Sequence, residues 1–137
     1  MIVGGLMHAS LLVSDLPRAL MFYRDVLGLA PCERPELGYP GAWFALASGQ
    51  HLHLLALMPP DTPETPRPPG RDRHLAFAVS DLAELERRLG RFAVPFSRSR
   101  SGRAAIFCRD PDGNALEFIA SAPEGHAIAG TPRGTGV

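Results

Sequence analysis

The residues most able to do chemistry in this chain come as a repeat. His8-Ala9-Ser10-Leu11-Leu12-Val13-Ser14-Asp15-Leu16 is matched 66 positions later by His74-Leu75-Ala76-Phe77-Ala78-Val79-Ser80-Asp81-Leu82, with His, Val, Ser, Asp and Leu recurring at one offset. A second pair, Gly49-Gln50-His51-Leu52-His53-Leu54 and Gly113-Asn114-Ala115-Leu116-Glu117-Phe118, recurs 64 positions apart through Gly49/Gly113 and Leu52/Leu116. That register sets His53 opposite Glu117. If the halves are related by a pseudo-twofold axis, His8 pairs with His74 and His53 with Glu117. Three imidazoles and one carboxylate form an open site for one divalent cation, and Zn, Ni, Co, Fe(II) and Mn all accept such donors.

Strand periodicity supports the convergence. His8 shares a face with Ser10, and His74 shares one with Ala76, Ala78 and Ser80, so small side chains leave a hollow while Leu75, Phe77 and Val79 point the other way. His53 projects with His51 and Leu55, and Glu117 with Ala115 and Ile119. A carboxylate on so apolar a strand needs compensation, which a bound cation supplies. Taken singly, each residue also has a structural reading: a hydrogen-bonded strand histidine, or a glutamate on an exposed edge strand or paired to Arg109. His51 replaces His53 if the register shifts by one strand period. Ser10 and Trp43 are candidates to line the substrate cavity, with Phe44 beside them. Among Arg98, Arg100 and Arg103, in the loop before a cavity strand, Arg103 is the candidate anion contact. Arg71 and Arg73 close or flank the site, and His126 is irrelevant to it.

The elements that must position these residues follow a common order. Asp15 caps a helix with Pro17 in its first turn and Leu16, Leu20, Tyr23 and Leu27 on its apolar stripe, ending at Gly28. Asp81 and Glu84 form a capping box for the second helix, with Leu82, Leu85 and Leu89 as its stripe and Gly90 as its stop. Later strands are predicted at 43–47, 51–58, 104–108 and 115–119, with Asp110-Pro111-Asp112-Gly113 as a hairpin turn. The result is two βαβββ modules. Six prolines between Pro59 and Arg73 block helix and ladder alike and mark a linker. A single domain over 1–120 is expected, with module one at 1–58, the linker at 59–73, module two at 74–120, and a flexible tail at 121–137.

Composition removes several alternatives. The 137 residues, 45% hydrophobic and 20% charged, suffice for one domain. Fourteen basic residues balance fourteen acidic ones, arguing against nucleic acid as a partner. All the basic residues are Arg, which excludes a pyridoxal Schiff base, a lysine nucleophile and a Walker-type phosphate loop. Cys32 and Cys108 lack metal or redox spacing and read as reduced thiols. No apolar run approaches a membrane span, and the apolar N-terminus lacks a basic leader, so a cytoplasmic protein is expected.

From about Met7 to Ala120 the chain resembles the vicinal oxygen chelate superfamily, which includes glyoxalase I, extradiol dioxygenases, fosfomycin-resistance enzymes and bleomycin-resistance proteins. The resemblance is carried by His8 with Val13-Ser14-Asp15-Leu16, by Phe22-Tyr23-Arg24-Asp25-Val26-Leu27-Gly28-Leu29, and by Asp110-Pro111-Asp112-Gly113-Asn114 with Glu117. It implies an α+β fold in which two βαβββ modules form a curved mixed sheet around a metal-binding cavity, with His8, His53, His74 and Glu117 as ligands. It also implies Lewis-acid chelation of two neighbouring substrate oxygens, in lyase/isomerase or ring-cleaving dioxygenase chemistry. Glu117 is then the base, and His53 a fourth ligand or an acid/base. Glyoxalase I usually supplies two carboxylates, one of which His53 replaces here; His8, His74 and Glu117 alone make the two-His, one-carboxylate triad of non-haem iron dioxygenases. The fosfomycin enzymes' lysine is absent, and Ile106 stands where their tyrosine is expected. The alternative function is an antibiotic-binding protein of the bleomycin-resistance type. A homodimer acting on a small molecule is expected, with modules pairing within the chain or across the dimer.

Overall fold

The computed structural model describes residues 1–63, 67–68 and 70–121. Module one runs β1 (His8–Leu12), α1 (Leu16–Leu20), β2 (Ala30–Cys32), β3 (Gly41–Ala45) and β4 (His51–Leu55). Module two repeats the order with β5 (His74–Val79), α2 (Leu82–Arg91), β6 (Phe96–Arg98), β7 (Ala105–Arg109) and β8 (Ala115–Ala120). Each module folds into its own four-stranded mixed sheet, ordered β1-β4-β3-β2 and β5-β8-β7-β6. The described residues of the proline-rich segment 59–73 carry neither helix nor strand.

The two sheets repeat each other in register. β1 runs parallel to β4 with Ser10 opposite His53, and β5 runs parallel to β8 with Ala76 opposite Glu117. The hairpin before each inner strand repeats as well. Leu46 N–H donates to Gln50 C=O at 2.9 Å, as Asp110 N–H donates to Asn114 C=O at 3.0 Å. Gly49 and Gly113 sit at φ +85° and +84°, backbone that suits a residue without Cβ.

Alternation along the strands builds the core. Leu52, Leu54 and Phe44 from one sheet and Leu116 and Ile106 from the other are fully buried with Tyr23, Val13 and Leu89. The Asp110–Asn114 turn joins the modules. Tyr23 donates its hydroxyl to Asp110 Oδ2 at 2.7 Å, Ser14 N–H donates to Asp112 Oδ2 at 3.1 Å, and Asn114 Nδ2 donates to Leu12 C=O at 3.0 Å.

Several local expectations shift. Asp15 caps α1 by accepting from Arg18 N–H, but after Leu20 the helix widens to π-type hydrogen bonding over Met21–Val26 before ending near Gly28. Asp81 accepts from Glu84 N–H at 2.9 Å, while the Glu84 carboxylate turns to Arg87 instead of back to the cap. Gly90 does not stop α2, which runs to Arg91 and breaks where Ala93 takes φ 55°. The strand predicted at 43–47 begins and ends two residues earlier, since Leu46 already belongs to the hairpin turn. His126 lies outside the described residues.

Candidate functional site

The repeat places one pair of candidate ligands on each sheet. In module one the His8 and His53 rings stack with centroids 4.2 Å apart and planes 18° from parallel. Trp43, opposite His53 across the β3–β4 ladder, covers the other face of that ring at 4.1 Å and 5°. A cavity of about 510 Å³ opens here, lined by His8, Ser10, Tyr39, Trp43, His51 and His53. Phe44 points to the opposite side and is fully buried in the core.

His53 is the most informative member of this face. Its Nε2 atom is buried and has no hydrogen-bond partner among the described residues. Burial lowers the pKa of the ring, and positive charge on His8, His51 and Arg34 lowers it further. An imidazole held neutral with an unused nitrogen has the electronic form a metal ligand requires. His51 also lines the cavity, its ring 5.9 Å from that of His53.

Module two is charged where module one is aromatic. Glu117 is 3% exposed on β8, an inner strand, so the edge-strand reading of this residue is wrong. Its Oε2 lies 3.3 Å from His74 Nε2, and its Oε1 lies 3.5 Å from Arg103 Nη2. Arg109 does not pair with it, because the Arg109 guanidinium is taken by Asp72 at 2.8 Å. His74 directs Nδ1 at the Asp72 backbone carbonyl, 3.0 Å away. A carbonyl can only accept, so Nδ1 carries hydrogen, and in the neutral ring Nε2 is an acceptor facing a carboxylate. Two acceptors at 3.3 Å call for positive charge near both; Arg103 supplies it to Glu117 alone, from 3.5 Å, and this donor set suits a divalent metal.

The remaining candidates divide. Arg98 is engaged by Glu86 at 2.7 Å and so does not reach for a ligand, whereas Arg103 is exposed beside Glu117. Arg71, Arg73 and Arg100 are exposed. The sequence reading overlooked Tyr39 in the cavity wall, and Phe107, which stands edge-on to His74 at 5.6 Å. Phe107 lies opposite Glu117 in the β7–β8 register, so strand pairing was the available signal.

Among the described residues, no three His, Cys, Asp or Glu side chains come together as a metal-binding group. The chain brings His8 to His53 and His74 to Glu117, but not one pair to the other. Both faces remain open, with His8, Ser10, His74, Ala76 and Ala78 exposed. No described helix is long and apolar enough to cross a membrane.

Comparison with known proteins bears on family and fold. The Glyoxalase/Bleomycin resistance protein/Dioxygenase superfamily model matches residues 5–118. "Glyoxylase I 4" of Arabidopsis thaliana is 30% identical over 121 residues, covering 83% of this chain and 69% of that protein. The lactoylglutathione lyase of Haemophilus influenzae is 31% identical over 125 residues, covering 83% of this chain and 90% of that protein. A fosfomycin resistance protein variant from Listeria monocytogenes, solved with Mn(II) and a dihydroxypropylphosphonic acid, superposes with a TM-score of 0.66. It is 17% identical over 89% of this chain and 95% of that one, a likeness of fold.

Proposed function

Because the chain belongs to the glyoxalase/bleomycin resistance protein/dioxygenase superfamily, we propose that His8, His53, His74 and Glu117 hold one divalent metal ion in an enzyme of the lyase or isomerase type. Its substrate is a small molecule with two neighbouring oxygens. The observation that carries this reading is a matched pair of acceptors: the Nε2 of His53, without a partner among the described residues, and the buried Glu117 carboxylate, held by His74 at 3.3 Å and by the exposed Arg103 at 3.5 Å. Open faces on both sheets support a homodimer in which His8 and His53 of one copy meet His74 and Glu117 of another. Two free cysteines accord with a cytoplasmic setting.

The bound ion, of the Zn, Ni, Co, Fe(II) or Mn type, supplies Lewis acidity toward the paired oxygens. Glu117 would take the proton from the hydroxyl-bearing carbon beside the carbonyl and return it to the former carbonyl carbon, while the hydroxyl proton passes to the other oxygen so that carbonyl and hydroxyl exchange places; its buried, water-poor position suits this role. Arg103, beside that carboxylate, contacts an anionic substrate group. Ser10 orients a substrate oxygen and Trp43 forms the apolar wall. His53, a neutral imidazole where glyoxalase I usually has a carboxylate, favours a second reading. In that reading His8, His74 and Glu117 hold iron for ring-cleaving dioxygenation.

Two preparations test this together. Tag-free protein purified without chelator should contain about one metal equivalent per chain, and a His8→Ala/Glu117→Ala variant almost none. Iron in the parent selects the dioxygenase reading, and nickel or zinc the lyase. Co-expressing His8→Ala/His53→Ala chains with His74→Ala/Glu117→Ala chains should restore about a quarter of the metal, since half the dimers then carry one intact site. No restoration overturns pairing across copies. No metal in the parent, even after reconstitution, overturns the enzyme reading in favour of an antibiotic-binding cavity.

A further inference from the structure

The segment that enters β5 is tied down more firmly than a connector requires. Arg109, at the end of β7, donates from Nη1 to Asp72 Oδ2 at 2.8 Å and to Gly113 C=O at 2.9 Å, and from Nη2 to Arg67 C=O at 2.7 Å. One guanidinium therefore clamps two points of the incoming chain to the β7–β8 turn. The Arg109 side chain is 25% exposed and that of Asp72 12%, so the ion pair is shielded from the water that weakens surface pairs. Two residues earlier, Gly70 has φ +84°, and a Cβ there would stand 2.9 Å from Phe107 Cζ. Phe107 in turn packs edge-on against His74.

The strap ends on the candidate ligand itself. The Asp72 carbonyl accepts from His74 Nδ1, which leaves Nε2 as the nitrogen directed at Glu117. Which nitrogen of a histidine can bind a metal is set by the hydrogen bond made by the other. A backbone carbonyl fixes that choice only if its own peptide is fixed, and here the Asp72 side chain and Arg109 fix it.

We propose that Asp72 and Arg109 are positioning residues, clamping the segment before β5 so that the Asp72 carbonyl holds His74 in the Nδ1–H form with Nε2 free for the metal. This rests on the reading of His74 as a ligand, but the tautomer can be measured without metal. Long-range proton–nitrogen spectra of the metal-free, histidine-labelled full chain should be recorded at about pH 8.5, where an ordinary imidazole is neutral. The His74 signals are identified by their loss in His74→Gln. The parent should show a protonated Nδ1 and an unprotonated Nε2. Asp72→Ala and Arg109→Leu should shift the ring to a mixture of both forms, and Asp72→Asn, which still accepts from Arg109, should restore the parent pattern. Zinc affinity should fall about 10- to 100-fold in the first two variants and recover in the third.

A parent ring protonated on Nε2 but not on Nδ1 overturns the proposal. So does a folded Asp72→Ala protein, checked by its circular dichroism, whose His74 tautomer is unchanged. If the tautomer shifts as expected while no form binds zinc, the clamp stands and the ligand assignment of His74 fails.

Discussion

The two sheets share one register and one turn geometry, yet the faces they present differ in kind. In module one the key position is an imidazole stacked between Trp43 and His8, pulled toward neutrality by burial. In module two the equivalent position is a carboxylate, 3% exposed, paired with His74 at 3.3 Å and Arg103 at 3.5 Å. An apolar, aromatic half can stand alone. A buried carboxylate with contacts this long is only partly repaid by them for the water it has lost. The difference teaches that module two carries the larger cost of the site in the isolated chain, and module one its shape.

Replacing Glu117 should give the largest effect and the most direct break in this comparison. In chelator, Glu117→Leu should raise the unfolding free energy by about 1 kcal/mol, because the buried carboxylate's desolvation cost is removed while the partners it leaves, His74 and Arg103, reach water. In excess metal the order should reverse, since the parent gains about 2.7 kcal/mol at a hundredfold excess over the dissociation constant and the variant gains nothing. His53→Leu should change the chelated protein much less, as its ring is already neutral. Urea midpoints with and without chelator measure all three. A Glu117→Leu protein less stable than the parent in chelator would show that His74 and Arg103 already compensate the carboxylate.

The hairpin turns sharpen the contrast at a smaller scale. Both make the same backbone hydrogen bond, but Leu46 begins one and Asp110 the other. Burial raises the pKa of Asp110, although hydrogen bonds from Asn114 and Tyr23 partly oppose it. A carboxyl with a higher pKa folded than unfolded binds more protons in the native state, so stability falls as pH rises from its ordinary value through the raised one. The slope is at most about 1.4 kcal/mol per pH unit, and Asp110→Asn should flatten it. Urea midpoints taken from about pH 4 upward are the check. An unchanged slope in the variant assigns the dependence to another carboxylate.

How far the sequence could be read depends on which interactions are periodic. The faces of His8, His53, His74 and Glu117 were legible because strand alternation is strict and the same offsets recur in both halves. The strands β2 and β6 were not located, being three residues long and on sheet edges, with Pro31 inside one of them. Nor did any pattern reveal which ligand pair meets which, because the modules join through a shared apolar core and through non-periodic hydrogen bonds such as that of Tyr23 with Asp110. Arg109 shows the same limit. Its spacing allowed Glu117 as a partner, but only the path of the proline-rich segment brings Asp72 to it instead.

The two thiols carry the comparison down to its smallest measurable effect. Cys32 lies half-buried on the edge strand β2, whereas Cys108 is 3% exposed on β7, between β8 and β6. Burial pushes the Cys108 thiol up to about 12, with the charge of Asp110 adding to it. At pH 8 its thiolate fraction is then only about one in ten thousand, and the thiolate is the reacting species. A disulfide reagent should therefore titrate one thiol per native chain, lost in Cys32→Ser, and a second only in denaturant. A Cys108 that reacts in native Cys32→Ser at a rate independent of reagent concentration would mean that β7 opens ahead of the attack. The module-two sheet would then be the one that unzips first, and saturating metal should slow that reaction.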